Sequence, residues 1–178
     1  VQGWDDTVSR DHHWGPRANI LLLDADAARL RPEINQVMLE YLPREYQGFK
    51  VAYGLTIMAG VCCTTLGEFF TYFLGTDQLP RSEVDWLSLC EVDLLHVTGG
   101  EVIVDGPCEM TFRREYLHYY PDNVWKKKIA DWCMYITGRD APYNLHRMAK
   151  RNDGLTGSIY KALYLKQVME LCFALNRR

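Results

Sequence analysis

The hydrophobic period of this chain changes once, near residue 105, and that change limits what it can fold into. Before it, short apolar runs of strand length alternate with amphipathic stretches; after it the spacing of apolar residues is helical. Such a pattern reads as α/β (α+β): a mixed sheet with helices over residues 1–105, then a helical bundle over 106–178 packed against it. The 178 residues, 48% hydrophobic and 24% charged, suffice for one sizeable core or a small α/β domain with a helical appendage.

Ala18 to Leu23 is the first apolar run, preceded by a polar stretch rich in Asp, His, Arg and Gly. Pro32 stands near the start of an amphipathic helix carrying Ile34, Val37, Met38, Tyr41 and Leu42, which Pro43 ends. Phe49 to Tyr53 and Gly60 to Cys63 read as strands. Thr65 and Glu68 have capping-box spacing, and Leu66, Phe69 and Phe73 follow on one helical face to about Leu74. Glu91 to Val97 and Glu101 to Val104 flank Gly99-Gly100, which reads as a hairpin. Three helices follow. One carries Phe112, Tyr116 and Tyr120. The second starts after Pro121 and Asp122, carries Trp125, Ile129 and Trp132, and stops at Gly138. The third runs from about Ile159 to Leu175.

The net charge of −3 argues against a basic coat for indiscriminate nucleic-acid binding, while leaving room for a local cluster that grips phosphate. No apolar run reaches bilayer length, so no membrane partner is expected. Six cysteines, none in a C-x-x-C pair and several beside Leu or Val, fit a reducing, cytoplasmic setting. Oligomeric state is left open.

Reactive side chains are densest just before the first apolar run: Asp5, Asp6, Arg10, Asp11, His12, His13 and Arg17. In an extended segment Asp11 and His13 share one face and can reach one divalent cation. The competing reading is a salt-bridged surface loop. Trp14, beside Gly15 and Pro16, is placed to wall a pocket there. A second cluster, Arg139, His146, Arg147, Lys150 and Arg151, falls in a stretch read as irregular between two helices, with Tyr143 available for stacking. It offers a grip for a nucleotide phosphate or an RNA backbone, against the plainer reading of a solvated basic loop. Tyr116, Tyr119, Tyr120, Trp125 and Trp132 read as the core of the helical part.

The segment Ser9-Arg10-Asp11-His12-His13-Trp14-Gly15-Pro16-Arg17 resembles the signature of a family of unknown function, domain of unknown function four thousand and thirty-seven, within the nucleotidyltransferase-fold superfamily. Asp85-Trp86-Leu87, Leu94 to Val102, Tyr119 to Trp125 and Leu171 to Arg177 extend the resemblance through the chain. It implies a transferase that uses a nucleoside triphosphate and Mg²⁺ or Mn²⁺ to modify a small molecule or an RNA, through a Gly-Ser turn and three acids that bind two metal ions.

Carried over by position, Asp11 is the first acid and His13 stands where relatives often have the second, so these two are the expected catalytic and metal-binding residues. Ser9, Arg10, Trp14, Arg17, Arg147 and Lys150 are the expected substrate or phosphate contacts. The third acid should fall on the strand near Gly60 to Thr64, where this chain offers Cys62 or Cys63. The Gly-Ser turn would precede Val1. Nitrogen and sulfur in place of oxygen suit Mg²⁺ poorly; zinc accepts such ligands, though adjacent cysteines on an apolar strand usually belong to a core. The resemblance therefore leaves two expectations, an active or diverged group transferase and a catalytically silent nucleotide- or partner-binding domain.

Overall fold

A computed structural model of the chain describes residues 15–54, 57, 60–139 and 142–177. Ser9, Arg10, Asp11, His13 and Trp14 lie outside the described residues. The protein is mixed α+β, with two small sheets and a majority of helix. Its described residues form two compact units. One takes in the chain up to Pro80 with Ser88–His118; the other takes in Arg81–Leu87 and Tyr119 onward.

In the first unit β1 (Ala18–Leu22) runs parallel to β4 (Val61–Thr65), in register from Ala18 opposite Val61 to Leu22 opposite Thr65. Parallel neighbours need a long crossover. Here it is a short 3₁₀ turn at Asp24–Asp26, helix α1 (Ala27–Tyr41), and a hairpin of β2 (Glu45–Tyr46) with β3 (Phe49–Lys50). Of the expected strand Phe49 to Tyr53, only Phe49 and Lys50 pair as a strand, and Tyr53 bridges Val61 on the far side of β4 from β1. Helix α1 starts five residues before Pro32, which sits inside it. Proline there leaves one carbonyl of the preceding turn without its helical donor, a loss tolerable on a helix with no buried residue.

Helix α2 (Leu66–Leu74) follows β4 without a loop. Leu66, Phe69 and Phe70 fall on its inner face and are buried, and Gly75 ends it in the left-handed conformation that glycine accepts without strain. Phe69 and Phe73 meet edge to face, and Phe73 stacks on His96 of the helix packed beside it.

That neighbouring helix corrects the expected Gly99-Gly100 hairpin. Glu91 to Val97 is not a strand; Glu91–Thr98 forms α4, and Glu101 to Val104 has no sheet partner. Leu94 and Val97 are its buried pair, one helical turn apart, with Glu91 and Asp93 in the first turn and His96 in the last, where each charge type complements the macrodipole. The valines had imitated a strand. Helix α5 (Glu109–Leu117) closes this unit, and Arg114 donates to the carbonyls of Thr98 and Gly100 at the end of α4.

The second unit is helical. It contains most of α3 (Glu83–Ser88), then α6 (Asp122–Met134), a π turn at Tyr135–Arg139, α7 (Pro142–Lys150) and α8 (Gly154–Leu175). Helix α6 does not stop at Gly138; the chain widens into the π turn and carries the glycine within it. Asp153 caps α8 by accepting from the Thr156 amide at 3.0 Å.

The aromatic residues do not form the deep core expected of them. Tyr116 is exposed and the other four are half-buried, while Val124, Trp86 and Met148 are the buried apolar side chains of this unit. The amphipathic aromatics serve as brackets instead. Trp125 Nε1 donates to the Ala174 carbonyl at 2.6 Å, Tyr119 donates to the same oxygen, and the Arg177 guanidinium lies 3.9 Å over the Trp125 ring.

Candidate functional site: the two ends of the parallel pair

The described part of the expected site begins at Arg17, half-buried immediately before β1. At this entry end three chain segments run side by side. The Ala18 amide donates to the Gly60 carbonyl at 3.4 Å, the Val61 amide to Ala52 at 2.8 Å, and the Gly54 amide to Val61 at 2.8 Å. Gly60 is required. Its φ is +61°, and a Cβ would stand 2.0 Å from the Ala52 carbonyl oxygen.

Along β4, Cys62 is 3% exposed and belongs to the core, and Cys63 is half-buried. Burial pushes both thiols above their ordinary value, and Arg31 only partly opposes this, so neither is an activated thiolate. All six cysteines are thiols. Beside this strand Tyr53, whose hydroxyl donates to Asn35 Oδ1, is likewise raised, chiefly by burial.

The exit end holds the carboxylates. Both oxygens of Asp24 are used: Thr65 Oγ1 donates to Oδ1 at 2.5 Å and the Gly67 amide to Oδ2 at 3.1 Å. Only glycine lets α2 start so close, because a Cβ at position 67 would lie 2.7 Å from Asp24 Oδ1. The capping box read from the sequence is present: the Glu68 amide donates to Thr65 Oγ1 at 3.1 Å and the Thr65 amide returns to Glu68 Oε2 at 3.0 Å. That same oxygen also accepts from Thr64 Oγ1 and from Arg31 Nη2, each at 2.6 Å. The Thr64 hydroxyl is the largest influence holding the Glu68 carboxyl below its usual range; the Thr65 amide and Arg31 add to it and burial opposes it.

This end satisfies the first turn of α2 and leaves little to bind a ligand. Asp24 and Arg31 escape a sequence reading, because their partners lie 37 to 43 residues away. A carboxylate directly after an apolar strand was the available sign for Asp24.

The second expected cluster is not an irregular stretch. Arg147 and Lys150 stand exposed on α7, near its C-terminal end, where cations are favoured by the macrodipole. Arg147 is turned onto its own helix: Nη1 lies 3.3 Å from the Tyr143 hydroxyl and the guanidinium 5.2 Å from that ring's centre.

The metal ions implied by the resemblance find no carboxylate on β4, and no group of three His, Cys, Asp or Glu side chains suited to a metal occurs among the described residues. A site completed from β4 by Cys62 or Cys63 does not fit a hard cation. No described helix is long and apolar enough to cross a membrane.

Residues 86–178, more than half of the chain, match the family described as Domain of unknown function (DUF4037), and the chain belongs to that family. The match takes in α4 to α8, and with them Leu94 to Val102, Tyr119 to Trp125 and Leu171 to Arg177; the Ser9 to Arg17 segment lies outside it. No curated protein and no solved structure matches the chain.

Proposed function

We propose that this protein is a transferase of nucleotidyltransferase type, taking a nucleoside triphosphate at the entry end of the β1 and β4 pair and modifying a small molecule or an RNA. One observation carries the reading: the Ser9 to Arg17 segment runs directly into β1, the strand whose parallel pairing with β4 organises the first unit. Arg10 and Arg17 clamp phosphate, Ser9 adds a hydroxyl, Trp14 walls the pocket, and Asp11 and His13 face the reacting group, with His13 as base. The fold is a nucleotidyltransferase-like sheet with a cytoplasmic setting. Mg²⁺ or Mn²⁺ would enter bound to the triphosphate and held by Asp11, since β4 brings no acid to a protein-held pair.

A second reading, a catalytically silent nucleotide- or partner-binding domain, is favoured by one specific observation. Cys62, at a position where the third acid was expected, is part of the core. Titration calorimetry of the full chain with ATP, GTP, CTP and UTP, with Mg²⁺ or Mn²⁺ and with neither, separates the two. Metal-dependent binding that Asp11→Ala and Arg17→Ala each weaken at least about tenfold, roughly 1.4 kcal/mol, supports the transferase. Binding indifferent to metal and to Asp11 supports the silent domain. Silence with all four nucleotides removes both nucleotide readings.

A further inference from the structure

Charge is divided unequally between the two units. The second carries twelve Lys and Arg against seven Asp and Glu, a net of +5; the first carries eight against sixteen, a net of −8, and together they give the −3 of the chain. A basic unit within an acidic chain is the asymmetry of a protein with a polyanionic partner. Several cations of the second unit are answered inside it. Lys127 pairs with Asp131 at 2.5 Å, Lys166 with Glu170 at 3.0 Å and Arg177 with Asp122 at 2.9 Å.

Helix α7 differs from its neighbours in this respect. Its nine residues, Pro142 to Lys150, include no acid. At about 100° of turn per residue, Tyr143, His146, Arg147 and Lys150 fall on one face, and all four are exposed. Met148, buried, and Leu145, half-buried, lie on the opposite face. Among the described residues no carboxylate pairs with Arg147 or Lys150. The macrodipole favours cations near the last turn, but it does not call for a ring among them. Tyr143 is 61% exposed, and the Arg147 guanidinium stands 5.2 Å from its centre, so an aromatic and a cationic group face outward together.

From this face we infer that α7 binds RNA as a single strand, with Arg147 and Lys150 on its phosphates and Tyr143 stacked on a base. The inference selects RNA over a small molecule as the acceptor, and in that respect it rests on the transferase reading; the binding itself does not. Other polyanions suit the face less well. A membrane surface takes helices with apolar side chains to insert, and those of α7 turn inward. Duplex RNA keeps its bases stacked and its major groove too deep and narrow for side chains to read, which leaves Tyr143 without a partner. An acidic peptide answers the cations and offers nothing for the ring.

Fluorescence anisotropy of the full chain with a labelled single-stranded RNA of about twelve nucleotides tests this. Two or three phosphate contacts should weaken binding about tenfold between about 50 and 200 mM salt. Arg147→Ala with Lys150→Ala should lower affinity at least about tenfold and flatten the logarithmic salt slope by about 1.4. Lys127→Ala with Lys166→Ala removes the same charge elsewhere on the unit and should change affinity less than about twofold. Tyr143→Ala should weaken binding at least about fivefold, and Tyr143→Phe should keep it. The substituted side chains are exposed, so circular dichroism should be unchanged; should the Arg147 and Lys150 variant lose helix, Lys150→Gln and the Tyr143 pair decide. Equal losses in the two double variants, or none in either, overturn the inference. So does tighter binding of DNA of the same sequence, or binding of phosphatidylserine vesicles or polyglutamate without RNA. Silence towards nucleotides with RNA held through Arg147 and Lys150 removes the transferase and keeps the RNA face. Nucleotide binding with no RNA bound removes the RNA face and leaves a small-molecule acceptor.

Discussion

The entry and exit ends of the parallel β1 and β4 pair differ in what their polar groups are doing. At the exit end Asp24, Glu68, Thr64, Thr65 and Arg31 bond one another and the first amides of α2. At the entry end the described residues offer backbone closeness, a required glycine and the half-buried Arg17. The lesson concerns carboxylates. Two acids at the carboxyl ends of parallel strands stand where α/β proteins often bind ligands, yet here their oxygens are engaged in holding a helix. A count of acids would have taken carboxylates that cap a helix for a binding site.

The largest effect that can break this comparison is at Gly60. Alanine there meets the Ala52 carbonyl and a left-handed backbone together, so Gly60→Ala should cost at least about 3 kcal/mol. Denaturant unfolding that moves by less than about 1 kcal/mol would show that the entry end yields easily. Next is Asp24→Ala, which strips the Thr65 hydroxyl and the Gly67 amide of their acceptor and should cost about 2 kcal/mol. If Asp24 instead serves a ligand, the same change should leave the melting temperature in place and alter nucleotide binding, which would reverse the roles assigned to the two ends.

The smallest effect is a pH signature. A carboxyl held below its ordinary value, near 4.5 for glutamate, stabilises the fold fully above that pH and loses the contribution as pH falls through its lower folded value. Thermal unfolding of the wild type should therefore fall off below about pH 4.5, and Glu68→Gln should be less stable at neutral pH with a flatter acid limb. Parallel acid limbs in the two proteins would remove Glu68 from the exit-end network.

The parts of this architecture legible in sequence were those fixed by neighbours along the chain. The Thr65 and Glu68 box, the buried Leu66 and Phe69 and the strand from Ala18 each involve residues a few positions apart, so local spacing carries the information. The hairpin at Gly99-Gly100 failed for the same reason in reverse. Valines at 92, 97, 102 and 104 suggest a sheet locally, while Leu94 and Val97 find their burial against distant elements and take the segment as a helix. Arg31 and Asp24 could not be placed without the crossover that brings α1 and β1 to the start of α2. The candidate residues from Ser9 to Trp14 rest on the sequence, while Cys62, offered as a stand-in acid, is placed in the core by its 3% exposure.

Asp24 also sets an order of events in folding. The cap supplied by Thr65 and Glu68 is local and can form as soon as the first turn of α2 does, within the time of helix nucleation. The bonds from Thr65 and Gly67 to Asp24 span 41 and 43 residues, so they close only after β1 has found β4 across the whole crossover. Helix α2 is thus fastened twice, early by its own sequence and late by the strand beside it. Exchange of the Gly67 amide with solvent should report the second fastening, and so the moment at which the parallel pair is made.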